Sequence, residues 1–295
     1  MIMITKHRKI YFLFSITLII ACIVFLFVFG LKPGIDFTGG SIMEIEYKQE
    51  RPSAEEIRNQ LSQFDLGQVY VQPTGEKGVI IRMKNISEEL HQEILSVLSQ
   101  EQGLGEEKRF ESIGPVIGKE LREKTNIVVA SVLLSMIIYI AIAFRKVKRP
   151  LKSWQYGIAS VIALFHDILI PVGIFVVLGK LYNVEITIPV VTALLAVLGY
   201  SINNTVVVFD RIRENLLKRG EDFEQTVNIS IKQTLSRQIN TSLTTLFVAS
   251  AIFFFGGATL QYFSLALILG IIAGTYSSIF LAGNLLVAWY KFRNK

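Results

Sequence analysis

The side chains of this sequence that could carry a proton or hold an ion lie in long apolar runs. His166 and Asp167 sit near the middle of one run, Asn204 lies in a second, and Arg237 lies at the start of a third. Polar and ionisable groups at membrane depth are costly, so they need partners or a function. These four residues are therefore candidates for an ion relay, or for coupling an ion gradient to movement. The alternative is that the Asn, Thr and Ser side chains of these runs only hydrogen-bond between helices, and that Arg237 extends to the cytoplasmic interface.

Other kinds of chemistry find little support in the sequence. His166 and Asp167 are neighbours about 100° apart on a helix, and no nucleophile or metal-ligand spacing accompanies them, which argues against an intramembrane hydrolase. The single cysteine, Cys22, predicts neither an intramolecular disulfide nor a cysteine-based metal site. A Gly-x-x-x-x-Gly-Lys-Ser/Thr phosphate loop does not occur. We predict no catalytic residue, no metal and no cofactor.

Apolar runs predict the six transmembrane helices that must position the candidate residues. Residues 238–290 contain no Lys, Arg, Asp, Glu or His over 53 positions, and residues 10–31 contain none over 22. A bilayer core about 30 Å thick needs roughly 20 apolar helical residues. The longer stretch exceeds one crossing, and residues 255–261 supply its break. The predicted spans are 10–31, 125–144, 154–178, 186–209, 239–257 and 262–290.

The distribution of basic residues predicts the orientation of these spans. Segments on the side of the N-terminus hold 17 Lys and Arg residues, whereas the short loops on the opposite side hold only Lys180. By the positive-inside rule both termini are cytoplasmic. The long segment 32–124 carries 12 basic and 17 acidic residues and is predicted to face outward. The net charge of +6 is therefore explained by topology, and nucleic acid binding is not expected.

The outward segment is predicted to fold as a small domain between the first two membrane helices. Strands are predicted at 40–48, 68–72, 78–84 and 108–113, and Ser53 and Ser87 begin two helices. This β-α-β-β-α-β order is typical of an α+β ferredoxin-like domain. His91 stands alone on a polar helix face and is predicted to be a surface residue. The predicted domains are 1–9 (cytoplasmic N-terminus), 10–31 (first helix), 32–124 (extracytoplasmic domain and connection) and 125–295 (five-helix membrane domain).

Small residues recur every four positions in the last predicted span. Such a small-xxx-small stripe lets a neighbouring helix approach closely, and helix packing is its simplest interpretation. It predicts a tight bundle or a subunit contact. The residues of the stripe are Ala266, Gly270, Gly274, Ser278 and Ala282.

Three long motifs cover residues 34–40 directly after the first span, 199–215 in the fourth and 234–242 in the fifth. These motifs, their order and the six-span layout resemble the SecF branch of the SecD/SecF family of protein-export membrane subunits, in the resistance-nodulation-division superfamily, over nearly the whole chain. The positions that carry the resemblance besides Arg237 and Asn204 are Asp36, Gly39, Gly40, Gly199, Asn203, Asp210 and Arg211.

The resemblance implies a function in protein export and not an enzyme. The chain is expected to pair with SecD in a twelve-helix bundle beside the SecYEG channel, in the bacterial cytoplasmic membrane. It would use the ion gradient to help draw preproteins outward after the ATP-driven SecA step. The implied partners are SecD, SecYEG with SecA and YajC-type accessory subunits, the translocating preprotein and the lipid bilayer.

One position departs from the family pattern. The fourth-helix motif of the family usually reads Ser-Ile-Asn-Asp-Thr-Val-Val, and its Asp is thought to move protons together with the Arg matched here by Arg237. This sequence has Asn204 instead, and an amide cannot titrate. Three accounts stay open: the titrating carboxylates lie on SecD, which we prefer; Asp167 titrates; or the coupling ion is sodium.

The sequence is also compatible with two functions other than protein export. Half of an efflux transporter of the same superfamily would share the helices and the polar residues, although its outer domains are typically much larger. A scaffold subunit that conducts no ions is the second rival, and Asn204 is the residue that favours it.

Overall fold

The computed structural model divides the chain into two compact units and describes residues 4–100, 105–145, 150–218 and 222–293. Residues 1–32 and 128–295 belong to one unit, which we call the helical unit. Residues 33–127 form the other, which we call the sheet unit. The candidate ion-relay residues all belong to the helical unit.

The described elements follow one another as ten α-helices and four strands. A 3₁₀ turn, Ile4–His7, precedes the first helix, and a π-helix, Ser277–Ala282, joins the last two. The helices are α1 (Arg8–Phe29), α2 (Ile35–Thr38), α3 (Ala54–Leu61), α4 (Glu88–Gln100), α5 (Pro115–Ala143), α6 (Ser153–Tyr182), α7 (Ile188–Lys218), α8 (Phe223–Phe255), α9 (Gly257–Tyr276) and α10 (Gly283–Arg293), and the strands are β1 (Gly40–Tyr47), β2 (Tyr70–Thr74), β3 (Gly78–Met83) and β4 (Gly105–Ile113).

Six helical segments of the described chain are long and apolar enough to cross a bilayer, which confirms the predicted number. They are Ile4–Phe29, Pro115–Ala143, Ser153–Tyr182, Ile188–Leu217, Phe223–Phe255 and Leu260–Arg293. Several helices run past the predicted spans, because hydropathy marks only the part of a helix that suits lipid. Helix α8 begins well before the predicted span 239–257, and Asp222 caps it by accepting a hydrogen bond from the Glu224 amide at 3.2 Å.

The centre of the helical unit is formed by α6, α7 and the α9–π–α10 segment. In each of these three, 50 to 56% of the most apolar window is buried, against 6 to 17% in α1, α5 and α8. Helices α1, α5 and α8 therefore lie at the periphery of the helical unit, and the described chain leaves most of their surface uncovered. Such surfaces are available to lipid or to another membrane subunit.

The sheet unit has the element order β1-α3-β2-β3-α4-β4. Its four strands pair in the order β2-β3-β1-β4, and each neighbouring pair is antiparallel. The predicted helix start at Ser53 is present as a capping box: the Ser53 hydroxyl accepts from the Glu56 amide, and the Ser53 amide donates to the Glu56 carboxylate at 2.7 Å. The core of the unit includes Met43, Ile45 and Ile94, none of which is exposed.

The prediction that His91 is a surface residue is wrong, because its side chain is buried. It is only 4% exposed, and its ring stacks on Phe110 of β4 with centroids 3.7 Å apart. Its Nδ1 lies 3.1 Å from a Glu88 carboxylate oxygen, and its Nε2 lies 3.1 Å from one of Glu107. The prediction failed because the face of α4 looks polar by itself, whereas β4 supplies Phe110 and Glu107 to cover it.

Replacing His91 by alanine is expected to destabilise the sheet unit by about 1–3 kcal/mol, because it opens a void against Phe110 and leaves the Glu107 carboxylate without its buried partner. Hydrogen exchange of the β4 amides in the intact chain measures this effect. Gln92→Ala is the matched control, since Gln92 also hydrogen-bonds Glu88 but lies on the exposed side of α4.

The same experiment has a defined pH dependence. Hydrogen bonds from Gln92 and then from His91 lower the pKa of the Glu88 carboxyl below its usual value. The stabilisation by Glu88 is therefore present above a pH of about 4.3, the ordinary glutamate pKa, and is lost as pH falls through the lowered value. Equal exchange rates in His91→Ala and the parent chain at neutral pH would contradict a structural role for this histidine.

Candidate functional site

A buried carboxylate occupies the centre of the helical unit. Asp167 of α6 has no exposed surface. One of its oxygens accepts hydrogen bonds from the Ser201 hydroxyl of α7 and, at 2.6 Å, from the Ser277 hydroxyl at the start of the π-helix. Its other oxygen lies 2.8 Å from Nδ1 of His166. Because a buried polar group is costly unless it is hydrogen-bonded, these three contacts are what satisfy the carboxyl group in the interior.

His166 is the neighbour of this carboxylate and is equally buried. Its ring stacks on Tyr276, with centroids 5.8 Å apart. While Nδ1 faces Asp167, Nε2 has no hydrogen-bond partner among the described residues. Unsatisfied buried polar atoms are rare in proteins. The unpaired Nε2 therefore makes this cluster unusual for a packed core.

The π-helix brings two consecutive serines of the last membrane helix into this polar interior. Ser277 binds Asp167, and Ser278 donates to the side-chain oxygen of Gln238 on α8 at 2.6 Å. Gln238 in turn donates to the Thr234 hydroxyl at 3.1 Å. Single π-helical turns inside α-helices occur frequently at functional sites. Sequence analysis treated Ser278 only as a packing residue and missed Ser277, although two adjacent serines in an apolar helix are a visible signal.

A second group of polar contacts lies between α7, α8 and α9. The Tyr200 hydroxyl donates to Ser242 at 2.8 Å, and Ser242 lies 2.6 Å from the Thr275 hydroxyl. Helices α6, α7 and α8 therefore contribute to a polar interior, as expected from their sequences. The α9–π segment contributes as well, which was not among the predictions from the sequence.

The two asparagines of the α7 motif face opposite ways. Asn204 is 3% exposed, and its side-chain amide nitrogen has no hydrogen-bond partner among the described residues. Thr205 beside it is also buried, and its hydroxyl has no hydrogen-bond partner in the part of the chain that the structure describes. Asn203 is exposed. The amide of Asn204 cannot be protonated and released, so it can form hydrogen bonds or offer its oxygen to a cation but cannot carry a proton.

Arg237 lies on the exposed side of α8 and does not contact the Asp167 cluster. It borders a groove of about 230 Å³ between α7 and α8, whose acidic residues are Asp210 and Glu214. These carboxylates pair with Arg213 and Arg211, at 2.6 and 2.7 Å. The guanidinium of Arg237 forms no ion pair with a carboxylate of the described chain.

Exposed polar side chains gather on the outer side of α7 and α8. Arg237 and Asn240, three residues apart, share one face of α8, and the adjacent α7 exposes Asn203 and Asp210. We call these four residues the polar face. Lipid cannot satisfy such groups, so they need either water or another protein at this position.

The glycine motif after the first membrane helix forms a tight bend in the sheet unit. Gly39 and Gly40 have φ values of +74° and +139°, which residues with a side chain rarely adopt. A Cβ on Gly39 would also lie 2.8 Å from Cα of Pro115. The bend links α2, which contains Asp36, to the first residue of β1. The motif is thus explained by backbone geometry.

Two glycines of the small-residue stripe lie in α9 and pack against α7 within this chain. A Cβ on Gly270 would lie 2.3 Å from a methyl carbon of Val197, and one on Gly274 would lie 3.2 Å from Cβ of Ser201. Gly199 of α7 is less confined, since its nearest neighbour would be 4.0 Å away in Met136. The close approach of α9 to α7 is what holds Ser277 and Ser201 on the same carboxylate.

Comparison with known proteins identifies relatives over the whole chain. The family model described as protein export membrane protein SecD/SecF, C-terminal, matches residues 94–292, and the SecD/SecF GG motif model matches residues 24–50. A protein translocase subunit SecF of Thermobaculum terrenum is 45% identical, over 98% of this chain and 94% of that protein. The SecF subunit of Haemophilus influenzae is 37% identical, over 94% of this chain and 82% of that protein.

A solved structure has the same fold. The crystal structure of SecDF, a translocon-associated membrane protein from Thermus thermophilus, matches 99% of this chain with a TM-score of 0.84 and 32% sequence identity. The match covers 38% of the SecDF chain, so this chain spans about two fifths of that protein.

Proposed function

The chain belongs to the SecD/SecF family of protein-export membrane proteins, and we propose that it acts as an accessory subunit of Sec-dependent protein export. In this role it pairs with SecD and uses the transmembrane ion gradient to assist preprotein movement through SecYEG after the ATP-driven SecA step. Its relatives are named as subunits of a translocase and not as enzymes, which supports a coupling role.

The proposed arrangement in the membrane follows from charge and topology. Both termini are cytoplasmic, because basic residues concentrate on their side of the spans. The sheet unit is a ferredoxin-like domain on the outer side, inserted in the chain between the first and second membrane helices. Its antiparallel strand order β2-β3-β1-β4, with helices after β1 and β3, supports this assignment.

The observation that carries the proposal is the polar face of α7 and α8. Arg237 has no carboxylate partner in the described chain, yet it lies on a helix long and apolar enough to cross the membrane. A partner subunit that packs there with a membrane carboxylate would satisfy both groups. SecD is the proposed partner, because the solved relative is a SecDF protein of which this chain matches only 38%.

The ion-carrying group of the proposed mechanism is a carboxylate of SecD. Asn204 occupies the position of the usual family Asp and cannot titrate. Arg237 would favour the ionised form of a nearby carboxylate, while desolvation between the subunits would oppose it. The balance of these two effects allows the ion gradient to change the protonation of the SecD carboxylate. Its protonation removes the charge pair and allows the two subunits to repack.

The transmembrane potential supplies enough free energy to drive the proposed repacking of the two subunits. One elementary charge that crosses 100 mV is worth about 2.3 kcal/mol. That energy shifts a two-state equilibrium roughly fifty-fold if it is fully coupled. A bias of this size could move the outer domains between two positions without ATP.

Cross-linking and reconstitution together test the proposal. With cysteine at Asn240, we expect oxidation to link the chain to cysteines placed along the membrane helices of SecD, whereas cysteine at Ile138, exposed on α5, should not react. In vesicles that contain SecYEG and SecA, the chain plus SecD should accelerate preprotein transport only under an imposed gradient. Equal acceleration with the gradient collapsed would indicate a scaffold, and efflux of small molecules instead of export would indicate the rival transporter.

A second candidate for the ion-carrying group is Asp167 itself. The favouring observation is that the described chain buries this carboxylate completely and leaves Nε2 of the adjacent His166 unpaired. On this alternative, protonation of the pair would loosen the hydrogen bonds from Ser201 and Ser277. Helices α6 and α7 and the π-helix could then shift relative to one another.

Asp167→Asn separates the two candidates. If Asp167 carries the proton, the gradient-dependent part of export should fall about tenfold or more, because the amide keeps the shape but cannot titrate. Asp167→Glu should retain part of it. If only SecD carboxylates carry the ion, Asp167→Asn should change thermal stability but leave the gradient response intact. Transport rates in the reconstituted vesicles at two imposed gradients measure the difference.

A further inference from the structure

An apolar groove with a charged end lies between α5 and α6. Its volume is about 440 Å³. Isoleucines and an alanine of α5 form one wall, and α6 forms the other, where Gly157 supplies no side chain to fill the space. The residues that line its apolar part are Ile137, Ile140, Ala141, Gly157, Ile158 and Val161.

The end of the groove near the α5–α6 loop is polar and positively charged. Arg145 and Ser153 line it. Arg145 is exposed, and its guanidinium forms no ion pair with any carboxylate in the described part of the chain. A cation without an ion-pair partner at the end of an apolar groove is suited to bind an amphiphile with an anionic head group.

Tryptophan marks this end of the groove as interfacial. Trp154 is 52% exposed and lines the groove, and its ring meets the edge of Trp289 with centroids 4.9 Å apart. Tryptophans concentrate at the boundary between lipid tails and head groups. Phe144, next to Arg145, is buried against Tyr156 and Phe209, with ring centroids 5.6 Å apart in each pair. The loop end of the groove is therefore built by packed aromatic rings.

The length of the groove suits a lipid chain within one leaflet. From Ser153 to Val161 the groove follows α6 for about 12 Å at 1.5 Å per residue, which is within the roughly 15 Å of one leaflet. The positive charge at one end of an apolar groove is what favours an anionic lipid as the occupant.

We infer that this groove is a binding site for an anionic glycerophospholipid, with one acyl chain between α5 and α6 and the phosphate at Arg145. Ser153 and Trp154 line the same end of the groove as Arg145. The site does not involve the Asp167 cluster or the polar face, so it is independent of the proposed coupling mechanism. Each basic residue near a membrane surface is worth roughly a fivefold preference for anionic lipid.

Brominated lipids test the site directly, because Trp154 and Trp289 are the only two tryptophans of the chain. We expect brominated phosphatidylglycerol to quench the fluorescence of the purified chain at about fivefold lower mole fraction than brominated phosphatidylcholine. Arg145→Gln should reduce this preference below twofold. Lys232→Gln, which removes a cation outside the groove, should retain it. Equal quenching by the two lipids, or an unchanged preference in Arg145→Gln, would overturn the assignment.

A second variant tests the apolar part of the site. A Cβ on Gly157 would meet only Ile140, at an ordinary 3.7 Å, so Gly157→Leu should fold and fill the groove. We expect it to weaken quenching by brominated phosphatidylglycerol severalfold without changing the unfolding temperature. Full quenching in Gly157→Leu would contradict an acyl chain in the groove. Loss of quenching by both lipids when SecD is added would assign the groove to a protein contact instead.

Discussion

Replacing Arg237 by glutamine is expected to abolish the gradient-dependent part of protein export while the complex with SecD still assembles. The guanidinium is the cation of the polar face, and we propose that a SecD carboxylate packs on it. Removal of one partner from a buried charge pair costs about 3–5 kcal/mol. This exceeds the roughly 2.3 kcal/mol that 100 mV supplies for each charge. The coupling should therefore be lost and not merely weakened.

A charge-keeping variant shows whether charge alone is sufficient for coupling, and a second variant serves as the control. Arg237→Lys keeps the charge but loses the two-pronged hydrogen bonding of the guanidinium, so partial coupling is expected. Arg293→Gln removes an exposed arginine in the last turn of α10, away from the polar face, and should behave like the parent chain. Transport in vesicles, with and without an ionophore, provides the rates, and a native gel reports assembly. Arg237→Gln with a normal gradient response would exclude the charge-pair mechanism.

Replacing Gly270 by leucine is expected to prevent the helical unit from folding correctly. A single Cβ at this position would lie 2.3 and 2.5 Å from the two methyl carbons of Val197, which is itself 1% exposed. Alanine alone should therefore cost about 1–3 kcal/mol, and leucine more, because α7 and α9 must separate. That separation would also pull Ser277 and Ser201 away from Asp167.

Unfolding temperature in detergent and the amount of chain in the membrane measure this effect. Gly157→Ala is the matched control, since the added Cβ meets its nearest neighbour at 3.7 Å and should change stability by less than about 0.5 kcal/mol. Gly274→Ala should lie between the two, with a contact of 3.2 Å to Ser201. An unchanged unfolding temperature in Gly270→Leu would mean that α7 and α9 do not pack as observed.

Several features of the fold could be predicted because they depend on neighbouring residues. The six membrane helices follow from apolar runs, and the start of α3 follows from the spacing of Ser53 and Glu56. The concentration of polar groups in α6, α7 and α8 was visible in the same way. Each of these signals lies within one turn or one span, so no knowledge of the packing was needed.

The failures involve contacts between distant parts of the chain. His91 was assigned to the surface because its cover, Phe110 and Glu107, comes from another element. Ser277 was missed because its partner Asp167 is 110 residues away. Neither contact leaves a trace in local periodicity.

The sequence by itself determined that the chain has six apolar helices, a small α+β segment of defined element order, and a few costly polar residues at membrane depth. Only the tertiary structure decided the surroundings of those residues. Asp167 contacts two serine hydroxyls and His166 in the interior, Asn204 faces inward, and Arg237 faces outward with no carboxylate partner in the described chain. The physical reason is that hydropathy and helical period report how each segment meets its solvent. Which side of a helix meets another helix depends on the close approach of backbones, as at Gly270 and Val197.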